Sequence, residues 1–235
     1  MKKYYIFIIS LVAFVATTMA QDKVKAEISA DFVSSYHWRG QELGEASVQP
    51  DIDLYYKGFN LSAWGSVGLK SIDPLKEIDL MLAYSNSGFN ISVTDYWTTL
   101  SDGKFFCYDS HSTSHVFEAN VGYDFGILSL QWYTIFAGAD GVNKSDKRAY
   151  SSFMEAKAPF NLGGLKWEAT IGATPYATTY YAKADGFSVT DISLQAAKDI
   201  KITEGFSIPL FAAVHANPST EKLAVVVGFT LQPQF

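Results

Sequence analysis

Apolar and polar residues alternate with a period of two along most of the chain. The pattern is clearest in segments 24–32, 51–54, 77–82, 89–94, 117–121 and 165–171. This period puts the apolar side chains on one face of a β-strand, whereas a helix would need a spacing of three to four residues. Roughly twelve strands are expected, centred near residues 29, 52, 64, 81, 93, 120, 132, 153, 169, 193, 211 and 227.

The links between these strands alternate in length. Short links, each containing glycine, are expected to form turns at residues 57–58, 86–88, 124–126, 161–164 and 203–205. Longer polar links lie between them, at roughly 38–46, 70–76, 98–114, 139–147, 174–186 and 216–221. Short turns at one rim and long loops at the other are typical of an outer-membrane barrel. The sequence therefore predicts an all-β fold, a closed antiparallel transmembrane β-barrel of about 12 strands with both termini on the short-turn rim.

A soluble two-sheet sandwich would show the same alternation, so the composition of the polar face decides between the two folds. A sandwich exposes a richly charged face, but here that face is mostly Ser, Asn, Thr and Gln, and only 18% of the chain is charged. Aromatic residues also gather at the predicted strand ends, as they do at the two interfaces of a membrane barrel. They flank the short turns at Tyr55, Tyr56, Phe59, Tyr84, Phe89, Tyr123, Phe125, Phe160 and Phe206, and the long loops at Tyr36, Trp38, Tyr96, Trp97, Phe136 and Tyr150. Two such aromatic girdles favour the barrel.

The N-terminus has the features of an export signal. Two lysines precede an apolar run over residues 4–16, and small residues end the segment at Ala20. We expect residues 1–20 to be a cleaved signal peptide and residues 21–235 to form one barrel domain. A membrane-spanning N-terminal helix is the alternative, but the apolar run is shorter than the ~20 residues that such a helix needs. Export combined with a barrel predicts the outer membrane of a Gram-negative-type cell.

The last strand resembles the closing-strand signal by which outer-membrane barrels are recognised for insertion. That signal combines a terminal aromatic residue with apolar residues at alternate positions before it, and Pro233 departs from the pattern because proline has no backbone donor. The matching residues are Val225, Val227, Phe229, Leu231 and Phe235. The resemblance implies that the barrel-assembly machinery is a partner.

Four further segments carry a resemblance to a known family: SSYHWRG at residues 34–40, VQPDIDLYYKGF at 48–59, AWGS at 63–66 and EID at 77–79. They resemble the TorF-type porin family, whose members open with a Tyr-x-x-Arg-Gly element, a Pro-containing second strand and a Gly-Phe turn. The similarity is clear over roughly residues 28–97. It implies an outer-membrane barrel that acts as a channel, and it implies no particular substrate.

Composition and charge exclude several other classes of protein. The net charge of −6 leaves no broad basic face for nucleic acid. Cys107 is the single cysteine, so an internal disulfide is impossible, and no Cys/His spacing fits a metal site. We therefore predict no enzyme, no catalytic residue, no metal and no cofactor. The expected partners are the lipid bilayer of the outer membrane, the assembly machinery and small solutes or cations; the oligomeric state stays open.

A passive channel for small solutes is the first functional prediction. If the polar face of each strand lines the lumen, acids there outnumber the bases Lys23, Lys25, Lys157 and Lys166. Rings of carboxylates favour cations, so we expect a cation-preferring pore. The predicted pore-lining residues are Glu27, Asp31, Asp51, Asp53, Asp79, Glu118, Glu155, Glu168 and Asp191. The alternative is that these charges pair across a narrow lumen and close it.

Arg39 is expected at the outer end of the first strand, where it would anchor a loop through Glu42 or Glu45. Two other classes of function also stay open. A non-conducting structural barrel would bind a ligand through loops 98–114 and 174–186, the second of which contains three tyrosines at 176, 180 and 181. An outer-membrane hydrolase is the weaker alternative, because sequence neighbours do not by themselves make a triad. Its parts would come from Asp109, His111, Ser112 and His115.

Overall fold

The structure is a computed structural model, and it describes residues 24–70, 76–99, 103–110, 112–182, 184–203 and 206–233. In this part of the chain, twelve long strands form a closed antiparallel barrel and two short strands form a separate hairpin. The strands are β1 Lys25–Val33, β2 Tyr36–Trp38, β3 Gln41–Gly44, β4 Ser47–Tyr56, β5 Phe59–Gly68, β6 Lys76–Asn86, β7 Phe89–Thr98, β8 Val116–Asp124, β9 Ser129–Gly138, β10 Ser152–Leu162, β11 Leu165–Thr174, β12 Ser188–Thr203, β13 Phe206–Asn217 and β14 Lys222–Leu231. The predicted fold class is confirmed.

The first strand closes the barrel by pairing on both of its sides. Ile28 aligns with Ile52 of β4, and Phe32 aligns with Phe229 of β14. The rings of Phe32 and Phe229 stack with their centroids 4.8 Å apart. Closure removes the row of unpaired backbone groups that a free sheet edge would present, and such groups cost several kcal/mol each in an apolar environment.

The two rims differ in the way that the sequence predicts. At one rim the turns at 57–58 and 87–88 each combine two residues of positive φ, 48° and 85° in the first and 52° and 87° in the second. Two-residue hairpin turns of this type require positive φ at both positions. The longer links, among them 139–151 and 175–187, lie at the opposite rim. The barrel strands also begin and end at the short-turn rim, because the start of β1 pairs with the end of β4.

The outer face of the barrel is apolar. Ile52 and Leu54 of β4 and Leu80 and Leu82 of β6 are all exposed, with Leu82 at 56%, while the residues between them are less accessible. The exposed large apolar side chains recur on every long strand, which is the reverse of a water-soluble surface. No helix among the described residues is long and apolar enough to cross a membrane.

The closing strand presents the alternation that its sequence predicts. Val225 and Val227 are exposed on the outer face, and Phe229 and Leu231 are half-buried and paired with β1 or β13. Phe235 lies outside the described residues, as do the predicted signal peptide and Lys23.

Candidate functional site: a hairpin inside the lumen

The segment between β1 and β4 folds into the barrel instead of forming an external loop. Its strands β2 and β3 pair with each other through Trp38 and Gln41, and the turn between them consists of Arg39 and Gly40. Both turn residues have positive φ, 50° and 75°, which is the geometry of a two-residue hairpin turn. We call residues 34–46 the lumen hairpin.

Arg39, at the tip of the lumen hairpin, forms a buried ion pair with Glu118 of β8 on the opposite wall. Arg39 Nη1 lies 2.5 Å from Glu118 Oε2, and Nη2 lies 2.8 Å from Oε1, so the pair is bidentate. Side-chain exposure is only 6% for Arg39 and 2% for Glu118. Two tyrosines complete the set of donors, because Tyr181 donates to Oε2 at 2.8 Å and Tyr96 donates to Oε1 at 3.0 Å. Paired geometry and additional donors are what a buried charge pair needs to offset desolvation.

Aromatic rings surround the guanidinium group. Its central carbon lies 3.9 Å from the ring centre of Tyr133 and 4.4 Å from that of Trp38. Phe153 and Tyr181 follow at 5.0 and 5.5 Å. Arginine stacks favourably on such faces because it is weakly hydrated and the rings are electron-rich. Arg39 is therefore held by charge, hydrogen bonds and ring contacts together.

The remainder of the lumen hairpin also contacts the wall at several points. A Cβ on Gly40 would lie 1.7 Å from the carbonyl oxygen of Thr190, so only glycine fits there. The side-chain amide of Asn217 donates to the Gly40 carbonyl at 2.9 Å, and the backbone N–H of Ala182 donates to Gln41 Oε1 at 3.1 Å. These contacts come from β12, β13 and the loop over 175–187, so the hairpin spans the lumen near the long-loop rim.

Two predictions about this segment are wrong. Arg39 does not anchor an outer loop through Glu42 or Glu45, because its side chain reaches across the lumen to Glu118. Instead, Ser35 donates to Glu42 at 3.2 Å. Three aromatic residues assigned to the outer girdle also lie inside, in contact with the hairpin or its partner: Tyr36, Trp38 and Tyr96.

Two of the nine predicted pore-lining acids lie on β1 and two on β4, and each of the other five lies on a different strand. Several accept hydrogen bonds from neighbouring wall residues. Asp51 accepts from Ser62 at 3.1 Å, and Asp53 accepts from Asn60 at 2.8 Å. Other acids have basic neighbours, as in the pairs Lys25–Glu27 and Lys157–Glu155. Glu118 differs from these acids because it is buried beneath Arg39 and paired with it.

Two cavities lie within the lumen beside the lumen hairpin. One, of about 360 Å³, is lined in part by Asp31 and Asp79. The other, of about 370 Å³, is lined in part by Glu155, Glu168 and Asp191. The structure thus brings five of the nine predicted pore-lining residues to internal space, while Glu27, Asp51 and Asp53 line neither cavity.

His37 and His215 border both cavities and a third of about 280 Å³ that reaches Lys222 near the rim. Their rings stack with the centroids 5.3 Å apart. Burial, together with the neighbouring His215 ring, lowers the pKa of His37. His37 is therefore uncharged at neutral pH. Sequence reasoning did not single out this pair, since the two residues are far apart in the chain.

The residues proposed for a hydrolase do not assemble into a triad within the described chain. His115 Nδ1 lies 2.7 Å from Asp95 Oδ1, and its Nε2 lies 2.6 Å from the Phe105 carbonyl oxygen. Both ring nitrogens are thus occupied by acceptors, and His115 is not placed to activate Ser112. The hydroxyl of Ser112 instead lies 3.5 Å from Cys107 Sγ. His111 lies outside the described residues.

The predicted aromatic binding surface on the loop over 174–186 is also wrong in part. Tyr181 is fully buried against the lumen hairpin, and Tyr180 contacts Trp38 edge to face. Tyr176 is at the surface and donates to the Tyr150 carbonyl at 2.7 Å. The loop therefore covers the hairpin instead of presenting all three rings outward. Among the described residues no group of three or more His, Cys, Asp or Glu could hold a metal ion.

Comparisons with known proteins give distant structural likeness only. No protein-family model matches the chain, and no curated protein matches it. A chain from work on the in-meso crystallization of membrane proteins aligns with a TM-score of 0.48 at 5% identity, covering 90% of this chain and 84% of that one. Salmonella typhi OmpF in complex with daunomycin aligns with a TM-score of 0.38 at 8% identity, covering 90% of this chain and 98% of that one. Outer membrane phospholipase A from Escherichia coli aligns with a TM-score of 0.38 at 10% identity, covering 89% of this chain and 92% of that one.

Proposed function

We propose that this chain is an outer-membrane barrel that forms a cation-preferring channel for small solutes, and that the lumen hairpin closes the channel on the long-loop side. The apolar outer face supports placement in a bilayer, because a closed barrel satisfies its own backbone and can expose apolar side chains to lipid. Membership of the TorF-type porin family and recognition by the assembly machinery are parts of the same proposal.

The polar, acidic interior is the observation that carries the channel proposal. The two lumen cavities are lined by five carboxylates, whereas Arg39 and Lys157 are the basic residues lining them. Arg39 is already neutralised by Glu118, which lines neither cavity. A cation that enters would therefore meet a net negative field in a region of reduced dielectric, where carboxylates attract it more strongly than in water.

The lumen hairpin supports a closed resting state. It crosses from β1 and β4 to β8 and β12, and its tip is held by a bidentate pair instead of a mobile surface contact. Passage of solute therefore requires either the narrow space beside His37 and His215 or movement of the hairpin. We infer that hairpin position sets the conductance.

A non-conducting barrel that acts through a bound ligand is the second candidate, and the same hairpin favours it. If the buried Arg39–Glu118 pair never separates, the lumen is a binding chamber instead of a passage. The two candidates differ in a measurable way, because only the channel carries ionic current across a bilayer.

Exchange of both Asp51 and Asp53 for Asn is expected to reduce the preference for cations. Each lost carboxylate removes about 1 kcal/mol of attraction for a cation at contact distance in water, or roughly fivefold in local cation concentration. The reversal potential of the refolded barrel under a KCl gradient measures this preference. The double exchange Asp146→Asn and Asp185→Asn removes the same charge from the outer loops and is the matched control. Equal selectivity in the Asp51 and Asp53 variant and in the unmodified protein would remove these residues from the pore.

A further inference from the structure

The lumen cavity of about 360 Å³ combines carboxylates with aromatic rings. We propose that this cavity binds small organic ammonium ions, which would make them a preferred solute of the barrel. The inference rests on the proposed channel in one respect only, since it names the class of solute that the channel would carry. Binding itself does not depend on conduction.

Two acidic side chains line the cavity, and a bound cation would stabilise their ionised form. Asp79 lines the cavity, and its Oδ1 is buried without a hydrogen-bond partner in the part of the chain that the structure describes. Asp31 lines the same cavity and accepts a hydrogen bond from Thr230 at 2.6 Å. No lysine or arginine is among the described residues that line this cavity. An under-satisfied buried carboxylate gains from a cation that replaces its lost hydration.

Aromatic rings form a second part of the wall. Trp64 of β5 is the direct cross-strand neighbour of Asp79 on β6. The ring of Tyr36 packs against that of Trp64 with the centroids 5.5 Å apart, and Trp38 and Phe211 also line the cavity. Aromatic faces attract ammonium groups, and they do so most strongly where water is displaced.

This combination selects an organic cation over an inorganic one. A bare metal ion requires several oxygen ligands at short range, and no such cluster of three acidic or imidazole groups occurs in the described chain. An alkylammonium ion uses both halves of the wall, because its charge faces the carboxylates and its carbon atoms face the rings. His37 adds no opposing charge at neutral pH, since burial lowers its pKa.

The neighbouring cavity provides an internal contrast. It holds three carboxylates, but Arg39 and Lys157 line it as well. Lys157 Nζ lies 3.2 Å from Glu155 Oε1, so one of the three carboxylates of this neighbouring cavity is already paired. The cavity of Asp79 and Trp64 differs in that no lysine or arginine among the described residues lines it.

Isothermal titration of the purified full chain in detergent with choline tests the proposal, with the neutral isostere 3,3-dimethyl-1-butanol as the matched ligand. We expect saturable choline binding and no saturable binding of the alcohol. Asp79→Asn should weaken choline binding at least tenfold, and Trp64→Leu should weaken it roughly 5- to 30-fold, the range expected for loss of a desolvated cation–π contact. Asp185→Asn removes an exposed acid of the outer loops that does not line this cavity, and it should leave binding unchanged.

Heat-dependent migration on gels confirms that each variant is folded, and Trp64→Leu keeps the test decisive if Asp79→Asn does not fold. Absence of saturable choline binding, equal binding of the alcohol, or full affinity in both variants would overturn the proposal. A barrel that conducts cations but does not bind choline contradicts this inference alone. A barrel that binds choline but carries no current contradicts the channel and leaves the site intact.

Discussion

Replacement of Arg39 by methionine is expected to release the lumen hairpin and raise the conductance of the barrel severalfold. The exchange keeps an apolar side chain of similar length among Trp38, Tyr133 and Phe153, but it leaves Glu118 buried without its counter-charge. Removal of one partner of a buried pair typically costs 3–5 kcal/mol. This cost is relieved when the hairpin moves and water reaches Glu118, so the equilibrium shifts from the docked to the undocked hairpin.

Single-channel recordings in planar bilayers measure the conductance, and hydrogen exchange over residues 34–46 reports the position of the hairpin. The double exchange Arg39→Met and Glu118→Gln removes both charges and should return the hairpin most of the way to its docked position. Lys144→Met is the control, because it breaks an exposed ion pair with Asp185, at 2.9 Å, on the surface of the outer loops. Unchanged conductance and unchanged exchange in Arg39→Met would show that the pair does not hold the hairpin.

Substitution of Gly40 by valine should undock the lumen hairpin without changing any charge. The residue has φ +75°, and an added Cβ would lie 1.7 Å from the Thr190 carbonyl oxygen, which belongs to the backbone and cannot rotate away. The strained turn adds to this clash, because β-branched residues strongly disfavour positive φ. We expect the same rise in conductance and in hydrogen exchange as for Arg39→Met.

Gly126→Val separates the effect of backbone strain from the effect of a steric clash. Gly126 has φ +83° but no atom within 4 Å of an added Cβ. This variant therefore carries the backbone strain without a clash, and it should fold with unchanged conductance. Similar behaviour of the two variants would mean that close contact with β12 is not what positions the hairpin.

The barrel follows from local patterns, which explains why sequence reasoning reached it. Ile52 and Leu54 face outward and their neighbours face the interior because the backbone of a strand alternates sides, and this information is contained in four consecutive residues. Glycines at 58 and 88 mark turns for an equally local reason, since the turn requires positive φ. The strand count and the difference between the two rims come from repetition of these signals.

The lumen hairpin could not be predicted in the same way. Its strands span three and four residues, so the alternation is too short to stand out from a polar loop. The partner of Arg39 is 79 residues away in the sequence, and the nearest acids along the chain, Glu42 and Glu45, were the natural local choice. Only the closed barrel brings β8 opposite the hairpin. The available signal was the Arg39-Gly40 pair, which lies between Trp38 and Gln41 and fits a two-residue turn.

The same reason explains the misplaced aromatic residues. A position near a strand end places a ring at the rim, but the sequence does not say whether that ring meets lipid or the lumen. Tyr96 lies on the inward face of β7, where it donates to Glu118, whereas Trp97 lies on the opposite face of the same strand and packs against Phe105. The alternation of side chains between the two faces of β7 separates these two neighbouring residues. The tendency of aromatic residues to gather near strand ends does not.

The central claim is that an acidic lumen conducts cations and that the lumen hairpin limits the current. Side-by-side recordings of the unmodified barrel and Arg39→Met under a KCl gradient, with folding confirmed on gels, test it most directly. We expect a small current with a cation-selective reversal potential in the unmodified barrel, and a severalfold larger current with the same cation preference in the variant. Folded barrels that remain silent in both forms, or a variant current without cation preference, would contradict it.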